Sequence, residues 1–218
     1  MTNCAQAVLI GTEIAIKCDG RWGCCQREQA KAKVEAMNRV IADRSPAVRP
    51  TLSSVPHKVY GNVRGAADAF AASAANVMDA APDQAAEAKK RGSPDCLSKE
   101  LAKPGKSRSS MDLQMDHPLD VKLGGLPGPE GALMPLDRSV NNAFGGFAKT
   151  TGNRLGAGQQ VSKVTLLCPP VKPCPDHTSS PCPDKSVGNR TDADFKSYPV
   201  KGKLRKPATA KTFTGASY

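Results

Sequence analysis

No apolar run in this sequence approaches the roughly 20 residues needed to cross a bilayer as a helix, so membrane insertion is not expected. The opening segment, MTNCAQAVLIGTEIAIKCDG, has a short apolar stretch but neither a basic lead nor a small-residue cleavage pattern. No signal peptide is therefore expected. Aromatic residues are scarce at 4%, whereas 19 glycines and 18 prolines punctuate the 218 residues. That balance predicts a modest core with much loop, in one large domain or two small ones. Histidine is rarer still: His57, His117 and His177 are the only three.

What is present in excess is positive charge. Thirty-one basic residues stand against 20 acidic ones, a formal net charge of +11. A polyanionic partner follows, nucleic acid or an acidic protein. Residues 1–110 hold 17 basic and 11 acidic side chains, while residues 185–218 hold 8 and 2. The excess is therefore concentrated in the tail, where Lys196, Lys201, Lys203, Arg205, Lys206 and Lys211 alternate with Phe195, Tyr198 and Phe213. Such a tail either tracks a phosphate backbone or is simply solvated.

Periodicity predicts an α+β chain. Ala7–Ile10 and Ile14–Ile16 read as short strands with a turn at Asp19-Gly20, and Gln26–Ala42 reads as a helix with Ala30, Val34, Met37 and Ile41 on one face. Ser45–Pro56, with three prolines, reads as an extended linker. Asn62–Arg91 reads as an Ala-rich helix or helix pair broken at Pro82, with Phe70, Ala74, Val77 and Met78 inward. His57, in VPHKVY, reads as a surface or turn histidine. Gly92–Ser110 contains Pro94, Pro104 and a Lys/Ser/Arg run, and Lys103–Ser110 within it reads as the boundary before the next module. Val161–Leu167 reads as a strand leading into a Pro/Cys-rich segment.

Eight cysteines fall in two clusters, Cys4/Cys18/Cys24/Cys25 and Cys168/Cys174/Cys182, with Cys96 between. Cys168, Cys174, His177 and Cys182 supply four zinc-capable ligands within fifteen residues, although the spacing is not that of a standard finger. Disulfides, structural zinc and free thiols all remain open. Disulfides would suit work outside a reducing cytosol, and the adjacent Cys24 and Cys25 cannot pair with each other without strain.

The stretch that carries chemistry is Met111–Gly146. Met111, Leu113 and Met115 alternate with Asp112, Gln114 and Asp116, as on a strand with one buried face. The strand ends on Asp116-His117. A Gly/Pro-rich loop, Gly124-Gly125-Leu126-Pro127-Gly128-Pro129, suits a tight reversal. Asp137 or Ser139 is a ready helix N-cap, and Val140, Phe144 and Phe147 recur at i, i+4 and i+7 as a core stripe. Asn141 falls on a neighbouring face of that helix, near its start. An acid and an amide oxygen suit a hard divalent cation, and a neutral imidazole beside them can take a proton from water.

Gln114-Met115-Asp116-His117, then Val121-Lys122-Leu123-Gly124-Gly125, then Pro135-Leu136-Asp137-Arg138-Ser139-Val140-Asn141, and Gly145 four residues later, together resemble the HNH (His-Me finger, ββα-metal) nucleases. The likeness is to toxin domains of bacterial polymorphic toxins and type VI secretion effectors, and it covers about one fifth of the chain. It implies His117 as general base, Asp116 and Asn141 as metal ligands with Asn142 as the alternative to Asn141, and Mg²⁺ or Mn²⁺ as cofactor. The chain departs from the family where a loop Asn should orient the base: Gly131-Ala132-Leu133-Met134 stands there, and a backbone carbonyl near Leu133 is expected to serve instead.

Along the chain the expected organisation is an Ala-rich helical region over 1–102 (docking, loading or accessory), a linker over 103–110, a module over 111–167 that the resemblance makes a ββα-metal-like nuclease, and a Pro/Cys-rich segment with a basic tail over 168–218. Lys122, Arg138, Lys149, Arg154, Lys201, Lys203, Arg205 and Lys206 are the expected nucleic-acid contacts. The partners implied are a DNA or RNA substrate, an acidic immunity protein, and a secretion-machine tip or chaperone. Such a protein is made in the bacterial cytoplasm and exported, without a signal peptide, into the cytoplasm of a target cell. The competing expectation is a non-enzymatic structural or adaptor protein of a secretion or phage-tail apparatus. The two differ in one feature: an adaptor has no reason to bring Asp116, His117 and Asn141 together.

Overall fold

The computed structural model describes residues 6–168, apart from 11, 20, 44–56, 153 and 156–158. The fold is α+β, with five strands and five α-helices in these residues. β1 (Gln6–Ile10) and β2 (Glu13–Lys17) form an antiparallel hairpin. β5 (Lys163–Leu167) joins β2 in parallel, giving the order β1-β2-β5. Ile14, Ala15 and Ile16 are all buried, as a central strand covered on both faces requires.

Between β2 and β5 lies most of the chain. α1 (Cys24–Ala42) is closed at its start by Gln26, whose Oε1 accepts from the Gly23 N–H at 2.9 Å. Its apolar stripe of Ala30, Val34, Met37 and Ile41 enters one core with Ile14, Ile16, Val140, Phe144, Phe147 and Val164. α1 runs along β5, and Asn38 joins the two. Its amide donates to the Val164 carbonyl at 2.8 Å and accepts from the Val164 N–H at 2.9 Å. One side chain thus satisfies the backbone of an edge strand.

α2 (His57–Ala80), α3 (Gln84–Lys90) and α4 (Asp95–Leu101) build a second core around Ala74, Met78, Ala88, Cys96, Leu97 and Leu101. The break at Pro82 is real, and Asp83 caps α3 by accepting from the Ala86 N–H at 2.9 Å. Ala74 and Met78 are fully buried as expected, but Phe70 (38% exposed) and Val77 (42%) are not. The buried face of α2 is rotated onto Ala67 and Ala74, because alanine lets the helix approach its neighbours closely. α4 lies just before the expected linker, in a stretch for which the sequence shows no helix of its own. Its buried residues, Cys96, Leu97 and Leu101, are too few to show a helical period amid the surrounding prolines.

β3 (Leu113–Asp116) and β4 (Met134–Asp137) pair antiparallel, Asp116 opposite Met134, and α5 (Arg138–Gly152) follows β4 directly. Leu113, Met115 and Leu133 close the second core, while Val140, Phe144 and Phe147 enter the first. Segments on either side of residues 103–110 therefore share both cores. Residues 103–110 themselves are tied down: Arg108 reaches Asp79 at 2.6 and 2.8 Å and the Leu113 carbonyl at 2.8 Å.

Two disulfides join pairs of the described residues. Cys18–Cys168 joins the ends of β2 and β5, and Cys25–Cys96 joins α1 to α4. The first is one of the disulfides the sequence left open, and it removes Cys168 from the alternative zinc quartet, since a bonded sulfur is no thiolate ligand. Cys174, His177 and Cys182 lie outside the described residues. Asn38→Ala strips both partners from Val164 and is expected to cost about 1–3 kcal/mol. A lowered urea midpoint with an unchanged slope would show it, and an unchanged midpoint would refute it.

Candidate functional site

The site is built where β3 ends against the start of α5. Strand alternation sends Leu113 and Met115 into the core and leaves Gln114 and Asp116 facing α5. Asp137 caps α5, its Oδ1 accepting from the Ser139 N–H at 2.8 Å and the Ser139 hydroxyl at 2.6 Å. That start fixes Asn141 in the first turn. Its Nδ2 donates to Gln114 Oε1 at 2.7 Å. The other atom of the same amide then lies 3.2 and 3.3 Å from the two Asp116 carboxylate oxygens.

The amide can be placed either way round, and the way that satisfies its neighbours puts nitrogen on Asp116. With the amide turned over, nitrogen faces Asp116 as an ordinary donor, and the Asn141 oxygen meets Gln114 Oε1 at 2.7 Å, so Gln114 must turn as well. Only with Nδ2 on Gln114 do three oxygens converge, an arrangement that a cation among them would favour. Bonds of about 2.0–2.1 Å at right angles place neighbouring ligand oxygens roughly 3 Å apart. The donor set therefore fits Mg²⁺ or Mn²⁺, which bind through few protein oxygens and keep several waters. Among the described residues no group of three or more His, Cys, Asp or Glu side chains is arranged to hold a metal. The candidate rests on one carboxylate and one amide.

His117 stands beside this pair, its N–H donating to Asp116 Oδ1 at 2.9 Å. Its ring Nε2 lies 2.8 Å from the Pro127 carbonyl oxygen. A carbonyl only accepts, so Nε2 carries the proton and Nδ1 keeps its lone pair in the neutral ring. The orienting carbonyl is thus Pro127's and not one near Leu133, whose own carbonyl accepts from Arg91 at 3.2 Å. The glycine pair explains how the loop returns. Gly124 has φ +95°, and a Cβ on Gly125 would fall 1.8 Å from the Leu119 carbonyl oxygen. Only glycine allows so tight a reversal after Asp116-His117, and the chain then passes Pro127 back over the imidazole.

Lys33 of α1 completes the cluster. Its Nζ donates to Asp116 Oδ2 and to the His117 carbonyl oxygen, and its side chain is only 1% exposed. Asp120 lies near, its Oδ1 accepting from the Lys122 N–H at 2.7 Å. Burial raises the Asp120 pKa above the usual carboxylate value. The Lys122 N–H opposes that shift, the Asp116 charge adds to it, and the charges of Lys33 and Lys122 oppose it.

A cleft of about 610 Å³ opens over these groups. Asp116, His117, Asn141, Asn142, Lys122 and Lys149 line it, with Arg64 of α2 across the gap. Six of the expected site residues are thereby brought together. Arg138 is not with them, since it pairs with Asp112 at 2.9 Å, and exposed Arg154 lies outside the cleft wall. Lys201, Lys203, Arg205 and Lys206 fall outside the described residues.

Sequence reasoning passed over Lys33, Asp120, Arg64 and the Pro127 carbonyl. A signal for Lys33 existed. It stands three residues after Ala30 and four before Met37, so it is a charge on the apolar stripe of α1. No protein-family model, no curated protein and no solved structure matches the chain.

Two outcomes follow from this geometry. In neutral protein, nitrogen-15 NMR of the His117 ring should report the Nε2–H tautomer, and a dominant Nδ1–H form would refute the Pro127 contact. Asp120 has a folded pKa raised above its unfolded value, so its contribution is fully present below the unfolded pKa and is lost as pH rises through the folded one. Asp120→Asn should therefore stabilise the metal-free protein at pH 7 and give no advantage near pH 3, as read by chemical denaturation at the two values.

Proposed function

We propose that the chain is a metal-dependent nuclease of the HNH (ββα-metal) type, acting as an antibacterial effector toxin. The observation that carries this reading is the meeting of Asn141 with both Asp116 oxygens at 3.2 and 3.3 Å, beside an imidazole anchored through Nε2. The order of elements supports it: a strand ending in Asp-His, a glycine-built loop, an antiparallel strand, and a helix carrying the Asn on its first turn. An adaptor has no use for that constellation at the floor of a cleft.

Asp116 and Asn141 are the residues that would hold Mg²⁺ or Mn²⁺, and Asn142 lines the cleft one position on. When bound, the cation supplies positive charge to the phosphodiester as its own charge develops. His117 does the proton work. With Nε2–H held by Pro127, Nδ1 accepts a proton from the water that attacks phosphorus and becomes part of an imidazolium, while the P–O bond to the leaving sugar oxygen breaks and that oxygen takes a proton from solvent. Lys122 and Lys149, with Arg64 opposite, bind the flanking phosphates, which carry most of the affinity in such complexes. The basic tail extends that contact. A producer survives such an enzyme only when it is covered, and an acidic immunity protein fits a chain of net charge +11.

The test is direct. The purified chain, incubated with plasmid and total RNA, should cut at least one of them with Mg²⁺ and neither with EDTA. His117→Ala should lower the rate by about 10²–10⁴-fold without unfolding the protein. Equal cleavage by wild type and His117→Ala would overturn the proposed base, and cleavage insensitive to EDTA would overturn the metal assignment.

A further inference from the structure

Lys33 reaches the site from α1, outside the strands and helix that carry Asp116, His117 and Asn141. Its ammonium lies on the core side of Asp116, at the edge of a small internal space lined by Ile14, Ile16, Met37, Leu123 and Phe147, and 6.0 Å from the Phe144 ring. At 1% exposure it cannot touch a substrate. Packing alone does not call for a lysine there, because an apolar side chain of the same volume fills such a space at lower desolvation cost. What the ammonium adds is one positive charge behind Asp116 and a bond to the His117 carbonyl.

Two consequences follow. Asp116 is held on its core side by Lys33 and at Oδ1 by the His117 N–H, so its orientation toward Asn141 is set before any cation arrives. A cation on the cleft side then shares that carboxylate with a charge of its own sign, and the ammonium, 1% exposed, is poorly screened by water. Ordering one short carboxylate is a small effect beside that repulsion, so removing the lysine's charge tightens cation binding. We propose that Lys33 is a positioning residue that preforms the Asp116–Asn141 site and keeps its hold on a divalent cation weak. This rests on reading that pair as a cation site. The class of ligand is a hard divalent ion held loosely enough to exchange.

Mn²⁺ titration of the full chain at pH 8, followed by the electron paramagnetic resonance of free Mn²⁺, tests this without any nuclease assay. Asp116→Asn should abolish stoichiometric binding. Lys33→Gln, which keeps a donor but loses the charge, should bind Mn²⁺ at least tenfold more tightly than wild type. Its melting temperature should be lower without metal and recover with it. Lys33→Arg, which keeps the charge, should stay within threefold of wild type. A folded Lys33→Gln that binds Mn²⁺ no more tightly than wild type overturns the proposal. Should that variant not fold, a Lys33→Arg affinity outside the threefold range overturns it equally. Wild type and Asp116→Asn binding alike would instead overturn the cation reading on which the proposal stands.

Discussion

The structure depends on an ionised carboxylate kept at a strand end with its charge compensated from inside. Asp116 is about 15% exposed and sits over a core of Ile14, Ile16, Phe144 and Phe147. Removing one partner of such a pair typically costs about 3–5 kcal/mol, because the remaining charge is stranded. The compensation comes from a helix 83 residues earlier in the chain. The site therefore exists only when α1 is docked on the β3–β4–α5 unit.

That docking is polar by design and follows helical spacing. Gln26 donates to the Ser139 hydroxyl at 3.1 Å, Gln29 accepts from the Asp137 N–H at 2.7 Å, and Lys33 holds Asp116 and the His117 carbonyl. Residues 26, 29 and 33 share one face of α1, and Ala36 continues it against Met134 and Leu136. Each contact lands on a part of the site: the first turn of α5, the end of β4 and the end of β3. The rest of the fold keeps α1 in place. Asn38 ties it to β5, Cys25–Cys96 ties it to α4, and Cys18–Cys168 closes the strands it packs against. A residue range that reads as a docking segment thus supplies a wall of the cleft, through α2, and the charge beneath it, through α1.

Local pattern made much of this legible. The alternation into Asp116, the apolar stripe at Val140, Phe144 and Phe147, the break at Pro82 and the strand near 163–167 all follow from periodicities of two and 3.6 residues. Asn141 facing β3 follows from the same arithmetic. Contacts set by distant sequence were not legible. Phe70 and Val77 look inward on size, but close packing chose Ala67 and Ala74. The carbonyl that orients His117 belongs to Pro127 and not to the neighbourhood of Leu133, because the path of a loop between two fixed strands depends on where its glycines turn. Lys33 stood in plain view on an apolar stripe, yet its partner could be named only once β3 and α1 were side by side.

The contact of His117 with a backbone carbonyl has a chemical meaning beyond geometry. A side-chain amide can donate or accept, so it supports either tautomer of its imidazole partner, whereas a carbonyl accepts only. Pro127 therefore admits one neutral form of His117, with the lone pair on Nδ1, and it still accepts after that ring gains a proton. The carbonyl also carries no rotamer of its own, so its aim is as stable as the loop. Gly124, at φ +95°, and Gly125, with no room for a Cβ, determine that loop. In this chain the orientation of the His117 imidazole is thus entrusted to backbone, and the glycine pair, which does not itself touch the ring, is what holds it in place.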